Sequence, residues 1–241
     1  DEAKEIREGF ECGIGIDNKP YCAGVYSTGT GSYYAALAEA SLVLTNGVLS
    51  GKNVSAISTG TQAGWAIADQ RAYCWGKGLS TGSGATANQG SPVAVDTSGV
   101  LSNKAVTSIS VGGLSNSNEA VCVIATQRAY CWGSNGGGTF NGSSGALGDG
   151  TYTDSNVPVA VDTSGVLSGV DLKAISTASS TTIALSNDNK LYGWGAMPGN
   201  GSTNVSLVPV LVSTPAGADI KKILASHHEK SLDFRVEMLI H

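Results

Sequence analysis

Two pairs of cysteines are the residues whose spacing predicts a definite chemistry, the formation of disulfide bonds. Cys12 and Cys22 flank one predicted hairpin, and Cys122 and Cys131 flank a second hairpin of similar sequence. Directly opposed residues of a non-hydrogen-bonded antiparallel pair lie about 4.5 Å apart at Cα, at the short end of disulfide geometry. We therefore predict the bridges Cys12–Cys22 and Cys122–Cys131. Because the two spacings differ by one residue, one hairpin turn must be longer or bulged.

The fifth cysteine is predicted to carry an unpaired thiol. Cys74 faces a position that holds Trp65 instead of a second cysteine. The thiol is expected either to be buried or to pair with another chain. Cysteine pairs that recur at equivalent places indicate an oxidising compartment, so we expect a secreted or cell-surface protein. The alternative is a cytosolic protein with small thiols in its core.

Other residue types that perform chemistry are poorly placed for it. His227, His228 and Glu229 are adjacent, but neighbouring residues of a strand point to opposite faces and do not converge on one metal ion. Asp149 and Asp154 lack the dense alternating acids of a calcium loop, which favours a turn there. No histidine lies near a recurring serine, and neither a GxSxG motif nor a P-loop occurs. We expect a non-catalytic protein without metal or cofactor.

Composition narrows the class of protein further. The net charge is −5 with an isoelectric point near 5.1, which disfavours binding to nucleic-acid phosphates. No apolar run is long enough to insert into a membrane. Hydrophobic residues make up 41% of the chain, enough for a core, and the 33 glycines indicate many tight turns between short strands.

Internal repeats organise the chain. The segment QRAYCWG occurs at 70–76 and at 127–133, an offset of 57 residues, and PVAVDTSGVLS occurs at 92–102 and at 158–168, an offset of 66. Weaker copies extend both series, and the tyrosines that mark the first motif are Tyr21, Tyr73, Tyr130 and Tyr192. Periods of this length mark stacked or radially repeated units. Each unit contains three or four short strands, as a propeller blade does.

The repeats divide the chain into units of similar length. A charged, helix-prone lead-in at 1–9, which would be the end of a helical stem or a frayed terminus, precedes them. We place the repeats at 10–56, 57–108, 109–174 and 175–222, with a partial unit at 223–241. The predicted fold is therefore an all-β propeller of four-stranded antiparallel blades with about four repeats.

The sequence resembles the regulator-of-chromosome-condensation repeat family. The resemblance rests on the hairpin ending in YCWG, the loop GALGDGT at 145–151, the strand VPVAV at 157–161 and the later AIST segment. It implies a propeller that usually has seven blades, and a binding platform of the kind found in secreted bacterial members. Four repeats make an incomplete ring. The missing blades are expected in a longer chain or in a second chain.

Loops that follow each YCWG-type strand should emerge on one face and form a recognition surface. They are predicted at 25–42, 77–91, 134–157 and 196–207. Side chains in these loops that are suited to anchor a partner are Tyr26, Tyr33, Tyr34, Phe140, Asp149 and Tyr152. The predicted function is recognition of a protein or glycan on another surface. The alternatives are a structural subunit of a surface filament or pilus-like appendage, which binds further copies of itself, and a hydrolase or lyase with its site on this face.

Overall fold

The structure is a computed structural model. It describes residues 10–25, 28–32, 36–113, 119–136, 144–178, 180–215, 219–228 and 231–239. In the last two strands it describes the backbone together with the side chains of Ile220 and Ile223.

Seventeen strands and one short 3-10 helix, Leu79–Thr81, are present in the described part of the chain. The strands are β1 Phe10–Ile14, β2 Pro20–Val25, β3 Ala36–Leu42, β4 Val54–Thr59, β5 Ala63–Ala68, β6 Arg71–Gly76, β7 Gln89–Ala94, β8 Val106–Gly112, β9 Ala120–Ala125, β10 Arg128–Gly133, β11 Ser155–Ala160, β12 Leu172–Thr177, β13 Thr181–Ser186, β14 Leu191–Gly195, β15 Ser206–Leu211, β16 Asp219–His228 and β17 Ser231–Leu239.

These strands form consecutive antiparallel meanders. Three sheets have four strands each, in the orders β4-β5-β6-β7, β8-β9-β10-β11 and β12-β13-β14-β15. The described strands of the first sheet are β1-β2-β3, and those of the last are β16-β17. The first strands β4, β8, β12 and β16 contact one another in chain order, so they line the axis. The predicted all-β propeller with four-stranded antiparallel blades is confirmed; the described sheets do not close into a ring.

The predicted repeat limits cut through these sheets. The four-stranded sheets begin at Val54, Val106 and Leu172, each three residues before the predicted starts at 57, 109 and 175. The reason is that the longest recurring motifs lie in the third and fourth strands, so they do not fix the residue at which the first strand begins. The partial unit predicted at 223–241 contains β17, which pairs with β16.

Each blade has two edges at which the chain reverses. Connections between the first and second strands and between the third and fourth strands lie at one edge, because alternate strands of a meander run in opposite directions. We call this edge the loop face. The second-to-third turns and the connections between blades lie at the other edge, the connector face. No helix in the described part of the chain has the length and apolarity to cross a membrane.

Hairpin turns on the connector face explain part of the repeat. Asp69 and Gln70 have φ values of 48° and 61°, and Thr126 and Gln127 have 45° and 62°. Two consecutive residues with positive φ form a two-residue turn whose twist matches that of the strands it joins. The first hairpin has a longer turn, because residues 15–19 separate its last paired residues, Ile14 and Pro20. Its longer turn accounts for the wider cysteine spacing.

The glycine of the YCWG motif is required by a shift in register between the third and fourth strands. The register between β10 and β11 shifts between Cys131 and Gly133, and Gly133 has a φ of 95°. A Cβ at this position would lie 2.2 Å from the carbonyl oxygen of Glu119. Gly76 and Gly195 stand at equivalent shifts with φ of 114° and 94°. Only glycine fits both demands without strain.

The hydrophobic core is a series of layers between neighbouring sheets. Strands β5, β9 and β13 are buried along their whole lengths because sheets cover them on both sides. The tryptophans of the repeat, Trp75, Trp132 and Trp194, are fully buried in these layers, as is Trp65. The recurring aromatic residues are therefore packing residues, as the sequence indicated.

Candidate functional site

The loop face is built on a recurring pair of glycines. Gly82 and Gly148 follow the third strands of their blades, with φ of 69° and 66°. A Cβ on Gly82 would meet the Trp132 ring at 2.6 Å, and one on Gly148 would meet the Trp194 ring at 2.7 Å. The glycine corner of one blade thus rests on the tryptophan of the next blade. This contact couples the position of each loop to the core beneath it.

Backbone hydrogen bonds join each loop to the neighbouring blade. The second glycine of each pair, two residues later, donates its N–H across the blade junction. Gly31 donates to Gly90 at 2.8 Å, Gly84 to Asn156 at 2.9 Å, and Gly150 to Leu207 at 3.0 Å. Because the same bond recurs at three junctions, the loops are held at equivalent positions around the axis.

Hydrogen bonds from tryptophan side chains provide a third contact between loop and core. The carbonyl oxygen of Ser80 accepts hydrogen bonds from the indole N–H groups of Trp65 at 3.1 Å and Trp132 at 2.8 Å. Trp194 donates to the carbonyl oxygen of Ala146 at 2.8 Å. Among the described residues Trp75 has no acceptor for its N–H.

Asn135 organises the longest loop. Its side chain is fully buried and donates to the carbonyl oxygen of Thr151 at 2.9 Å while accepting from the N–H of Leu147 at 3.0 Å. Its own N–H donates to a carboxylate oxygen of Asp154 at 2.6 Å. Since both ends of the loop bond to one buried amide, the described part of this loop is preorganised.

Asp149 and Tyr152, both predicted to bind, have different surroundings. A carboxylate oxygen of Asp149 accepts hydrogen bonds from the N–H of Thr151 at 3.0 Å and from its hydroxyl at 2.9 Å. This is a side-chain-capped turn, the alternative that the sequence favoured over calcium binding. The Tyr152 side chain is 47% exposed and faces solvent from the same turn.

Exposed apolar side chains lie on two consecutive loops of this face. Tyr152 lies in the loop after β10, while Met197, 39% exposed, and Val205, 37% exposed, lie in the loop after β14. The backbone bond from Gly150 to Leu207 joins these loops. Large apolar groups fixed on neighbouring rigid loops are suited to contact a partner surface.

A single buried carboxylate joins two blades beneath the loop face. Glu119 is 4% exposed and precedes β9. One of its oxygens accepts hydrogen bonds from the N–H and hydroxyl of Thr61, at 2.5 and 2.9 Å. Its other oxygen accepts from the hydroxyl of Ser80 at 3.2 Å. Burial raises the pKa of Glu119, and the hydrogen bonds from Thr61, Gln62 and Ser80 oppose that shift.

The glycine that precedes this clamp is required by it. A Cβ on Gly60 would lie 2.2 Å from a carboxylate oxygen of Glu119. Every donor around the carboxylate belongs to the preceding blade, and all are bonded to it. The arrangement therefore fits a structural clamp between blades, and it presents no free atom to a substrate.

The cysteines lie where their spacing predicted. Cys12 and Cys22 are directly opposed in β1 and β2 and joined by a disulfide, with Cα atoms 4.1 Å apart. Cys122 and Cys131 are joined in the same way between β9 and β10, also at 4.1 Å. Cys74 is a buried free thiol opposite Trp65, and burial strongly raises its pKa. Pairing of Cys74 with another chain would require the sheet to open.

No protein-family model matches the chain. Among solved structures it is similar to human WBSCR16, with a TM-score of 0.70 and 20% identity over 90% of this chain and 53% of that chain. It is also similar to Prp20p from Saccharomyces cerevisiae, with a TM-score of 0.67 and 16% identity over 90% of this chain and 51% of that one. The same yeast protein, RCC1 (Prp20), bound to Kap60 gives a TM-score of 0.65 at 16% identity, over 90% and 50% of the two chains.

The fold is the RCC1-type propeller fold. The resemblance found in the sequence is thereby confirmed for the fold, and the chain spans about half the length of the structures it matches. The RCC1-type blades explain why the motifs recur. YCWG ends the third strand with the glycine at the shift in register, and GALGDGT contains Gly148, which rests on the tryptophan of the next blade, and Gly150, which donates to that blade.

The structure describes only some of the predicted binding residues. Tyr26, Tyr33, Tyr34 and Phe140 lie outside the described residues, as do Glu229 and the lead-in at 1–9. All four predicted loops end sooner than expected, because the last strands of the blades begin at Ala36, Gln89, Ser155 and Ser206. The prediction of a loop over 25–42 is wrong for its second half, which is β3. Among the described residues no group of three or more His, Cys, Asp and Glu side chains is arranged to hold a metal ion.

Asn135 and Glu119 are the residues of this face that sequence reasoning missed. Asn135 is the second residue after YCWG, where the other copy of the motif has Gly78, so the repeat gave no signal for it. Glu119 gave no signal either, since it is a lone acid whose partner Thr61 is 58 residues away in the sequence.

Proposed function

We propose that this chain is a non-catalytic binding module that recognises a protein partner through its loop face. The observation that carries the proposal is the exposed apolar group of Tyr152, Met197 and Val205, held on two consecutive loops that are tied to the core and to each other. Preorganised loops lose little conformational entropy when they bind, which favours recognition by contact and shape.

The distribution of charge supports contact of this kind. The loop-face connections with described residues that follow the first and third strands are 26–35, 60–62, 77–88, 113–119, 134–154, 178–180 and 196–205. They contain only four charged residues, Lys77, Glu119, Asp149 and Asp154. Glu119 is buried in the clamp, and Asp149 caps its own turn. The face therefore offers apolar, hydroxyl and amide groups to a partner, with little long-range electrostatic steering.

The solved structures with this fold add support for a protein as the partner. Prp20 has been crystallised with Kap60 bound, and its binding to Gsp1p and histones has been studied. A glycan is the second ligand class that fits Tyr152 with hydroxyl and amide groups around it. The experiment below separates the two.

Substitution of the exposed apolar group tests the proposal. A partner isolated by cross-linking in the source organism would be titrated against the wild type and the triple variant Tyr152→Ser, Met197→Asn and Val205→Ser. We expect the variant to bind about tenfold more weakly or worse, because central apolar anchors dominate interface energies. Asparagine suits position 197, where φ is 51°.

The matched control changes exposed apolar residues of the connector face. Val48→Ser with Val166→Ser alters side chains that are 39% and 44% exposed. We expect this variant to bind within about twofold of the wild type. Loss of binding in the control with retention in the loop variant would contradict the proposal. Binding only to isolated glycans would replace a protein with a carbohydrate as the ligand.

We further propose that the protein acts in an oxidising compartment, as a secreted or cell-surface protein. The two disulfides support this, since such bonds persist mainly outside the cytosol. Native protein alkylated while unfolded without reductant should show one modified cysteine, Cys74. After reduction, the same treatment should modify all five cysteines, which mass spectrometry reports. Five modified cysteines without reduction would contradict the proposal.

A further inference from the structure

A groove crosses the connector face of the second blade, away from the loop face. It lies between the turn at residues 69–71 and the connection that contains Thr97 and residues 101–105, and its volume is about 320 Å³. Its lining includes Arg71 and Lys104. The inference below does not depend on the function proposed for the loop face.

The first cation of the groove has lost the partner that its repeat equivalent retains. Arg128, 57 residues after Arg71, starts the same strand of the next blade and lies 2.9 Å from a carboxylate oxygen of Asp171. In the second blade Ala105 stands where the third blade has Asp171. No carboxylate lies within ion-pair distance of Arg71 in the part of the chain that the structure describes.

The second cation has lost its partner as well. Lys52 occupies the equivalent position in the preceding connection, where it lies 3.0 Å from Asp69 and 5.9 Å from the centre of the Tyr73 ring. Lys104 repeats the ring contact, 5.7 Å from the centre of Tyr130. The residue equivalent to Asp69 in the next turn is Thr126, which has no carboxylate.

The backbone equivalence of these positions is close. Lys52 and Lys104 both donate their N–H groups to the carbonyl oxygen three residues earlier, at 3.1 Å. Val106 and Leu172, the first residues of β8 and β12, donate to Gln70 and Gln127 at 2.9 and 3.0 Å. The differences between the blades are therefore differences of side chain, on backbones that form the same bonds.

The lost partners leave the groove locally positive on an acidic protein. Arg71, Lys104 and the neighbouring Lys52 contribute three positive charges, and Asp69, which lines the groove, contributes one negative charge. Asp69 is already paired with Lys52. The remaining balance is plus two on a chain whose net charge is −5.

We propose that this groove binds an acidic peptide segment of a protein partner, whose carboxylates occupy the places left by the two aspartates. Carboxylates are the groups that the equivalent arginine and lysine bind in the neighbouring repeats. The fork of the Arg71 guanidinium matches a carboxylate, and the Lys104 ammonium adds a second positive charge in the same groove.

Restoring the internal partners tests the proposal. Ala105→Asp and Thr126→Asp together introduce two acids at the junction between the second and third blades, beside the groove. These are the acids that the equivalent positions carry in other repeats. Both positions accept aspartate: Asp171 is the natural equivalent of the first, and Asp69 has a φ of 48° against 45° for Thr126. Val48→Asp with Val166→Asp is the control with the same change in net charge, at exposed positions of two other connections.

The probe is a fluorescein-labelled hexaglutamate peptide, with hexaglutamine as its uncharged counterpart, titrated by anisotropy at low and at physiological ionic strength. We expect the wild type to prefer hexaglutamate, the restored variant to bind it about tenfold more weakly, and the control to stay within about threefold of the wild type. Arg71→Gln with Lys104→Gln should reproduce the loss without added acids.

Two results would overturn the proposal. One is equal binding of hexaglutamate to the restored variant and the control. The other is binding of tripolyphosphate, an arm of the same titration, without binding of hexaglutamate, which would assign the groove to phosphate. Thermal unfolding of each variant confirms that it is folded at the temperature of the titration.

Discussion

Replacement of Trp132 by alanine is expected to lower the free energy of unfolding by about 3–5 kcal/mol, as for other large aromatic residues removed from a core. Trp132 is fully buried between two blades, where Val121 and Val123 belong to the same cluster. The substitution also removes the donor to Ser80, which holds the loop above it. Since domains are stable by only about 5–15 kcal/mol, the loss is a large part of the total.

Urea unfolding followed by far-ultraviolet circular dichroism measures this change. Trp132→Phe keeps most of the volume and removes the N–H, so it should fall between the wild type and the alanine variant. Tyr152→Ala, which removes an aromatic ring that is 47% exposed, is the surface control and should change stability by less than about 0.5 kcal/mol. An alanine variant at position 132 within about 1 kcal/mol of the wild type would show that the tryptophan layer does not support the blade junction.

The sequence was sufficient to predict the fold because its repeats encode local geometry. RAYCWG recurs with its aromatic residues at the place of a blade strand, and the structure puts the two-residue turn Asp69-Gln70 before it, between paired Ala68 and Arg71. The cysteine pairs follow from the same hairpin geometry. Strand limits were less predictable, because the long repeated motifs lie in the third and fourth strands and only part of the first strand recurs, as AIST in β4 and β12.

In the fourth blade the cysteine pair is absent for a structural reason. Ile183 and Gly193 are directly opposed, at the positions held by Cys122 and Cys131 in the third blade. A Cβ on Gly193 would lie 2.1 Å from the carbonyl oxygen of Pro198. The different path of this loop therefore excludes a cysteine. The sequence alone shows that the cysteine pair is absent from this blade, but it does not show why.

Long-range contacts were the part of the candidate site that sequence could not supply. The groove depends on the absence of two acidic side chains, since Ala105 and Thr126 stand where other repeats have aspartate. This absence becomes informative only when the blades are compared in space. The clamp depends on Glu119 reaching Thr61 in another blade. Neither has a local pattern, because its partners are set by the order of blades around the axis.

Glu119→Ala is the second substitution with a large expected effect. It removes the acceptor for the N–H and hydroxyl of Thr61 and for the hydroxyl of Ser80. Each buried donor that loses its acceptor costs about 1–3 kcal/mol, and removal of a buried charged group offsets part of the sum for the three donors, so we expect a net loss of about 2–4 kcal/mol in the free energy of unfolding at neutral pH. Glu119→Gln keeps one acceptor oxygen and should lose less. Glu39→Ala, which removes an exposed acid of β3, serves as the comparison for loss of charge alone.

The pH dependence separates the clamp from ordinary packing. Because burial raises the pKa of Glu119 above its usual value of 4.5, the folded state keeps a proton that the unfolded chain has already released. The stability that Glu119 contributes is therefore fully present below about pH 4.5 and declines as the pH rises through the raised pKa of the folded state. Denaturation midpoints measured across this range should show the decline in the wild type and a flatter profile in Glu119→Gln. Parallel profiles for the two proteins would mean that the carboxylate has the same pKa folded and unfolded, and that its hydrogen bonds fully offset its burial.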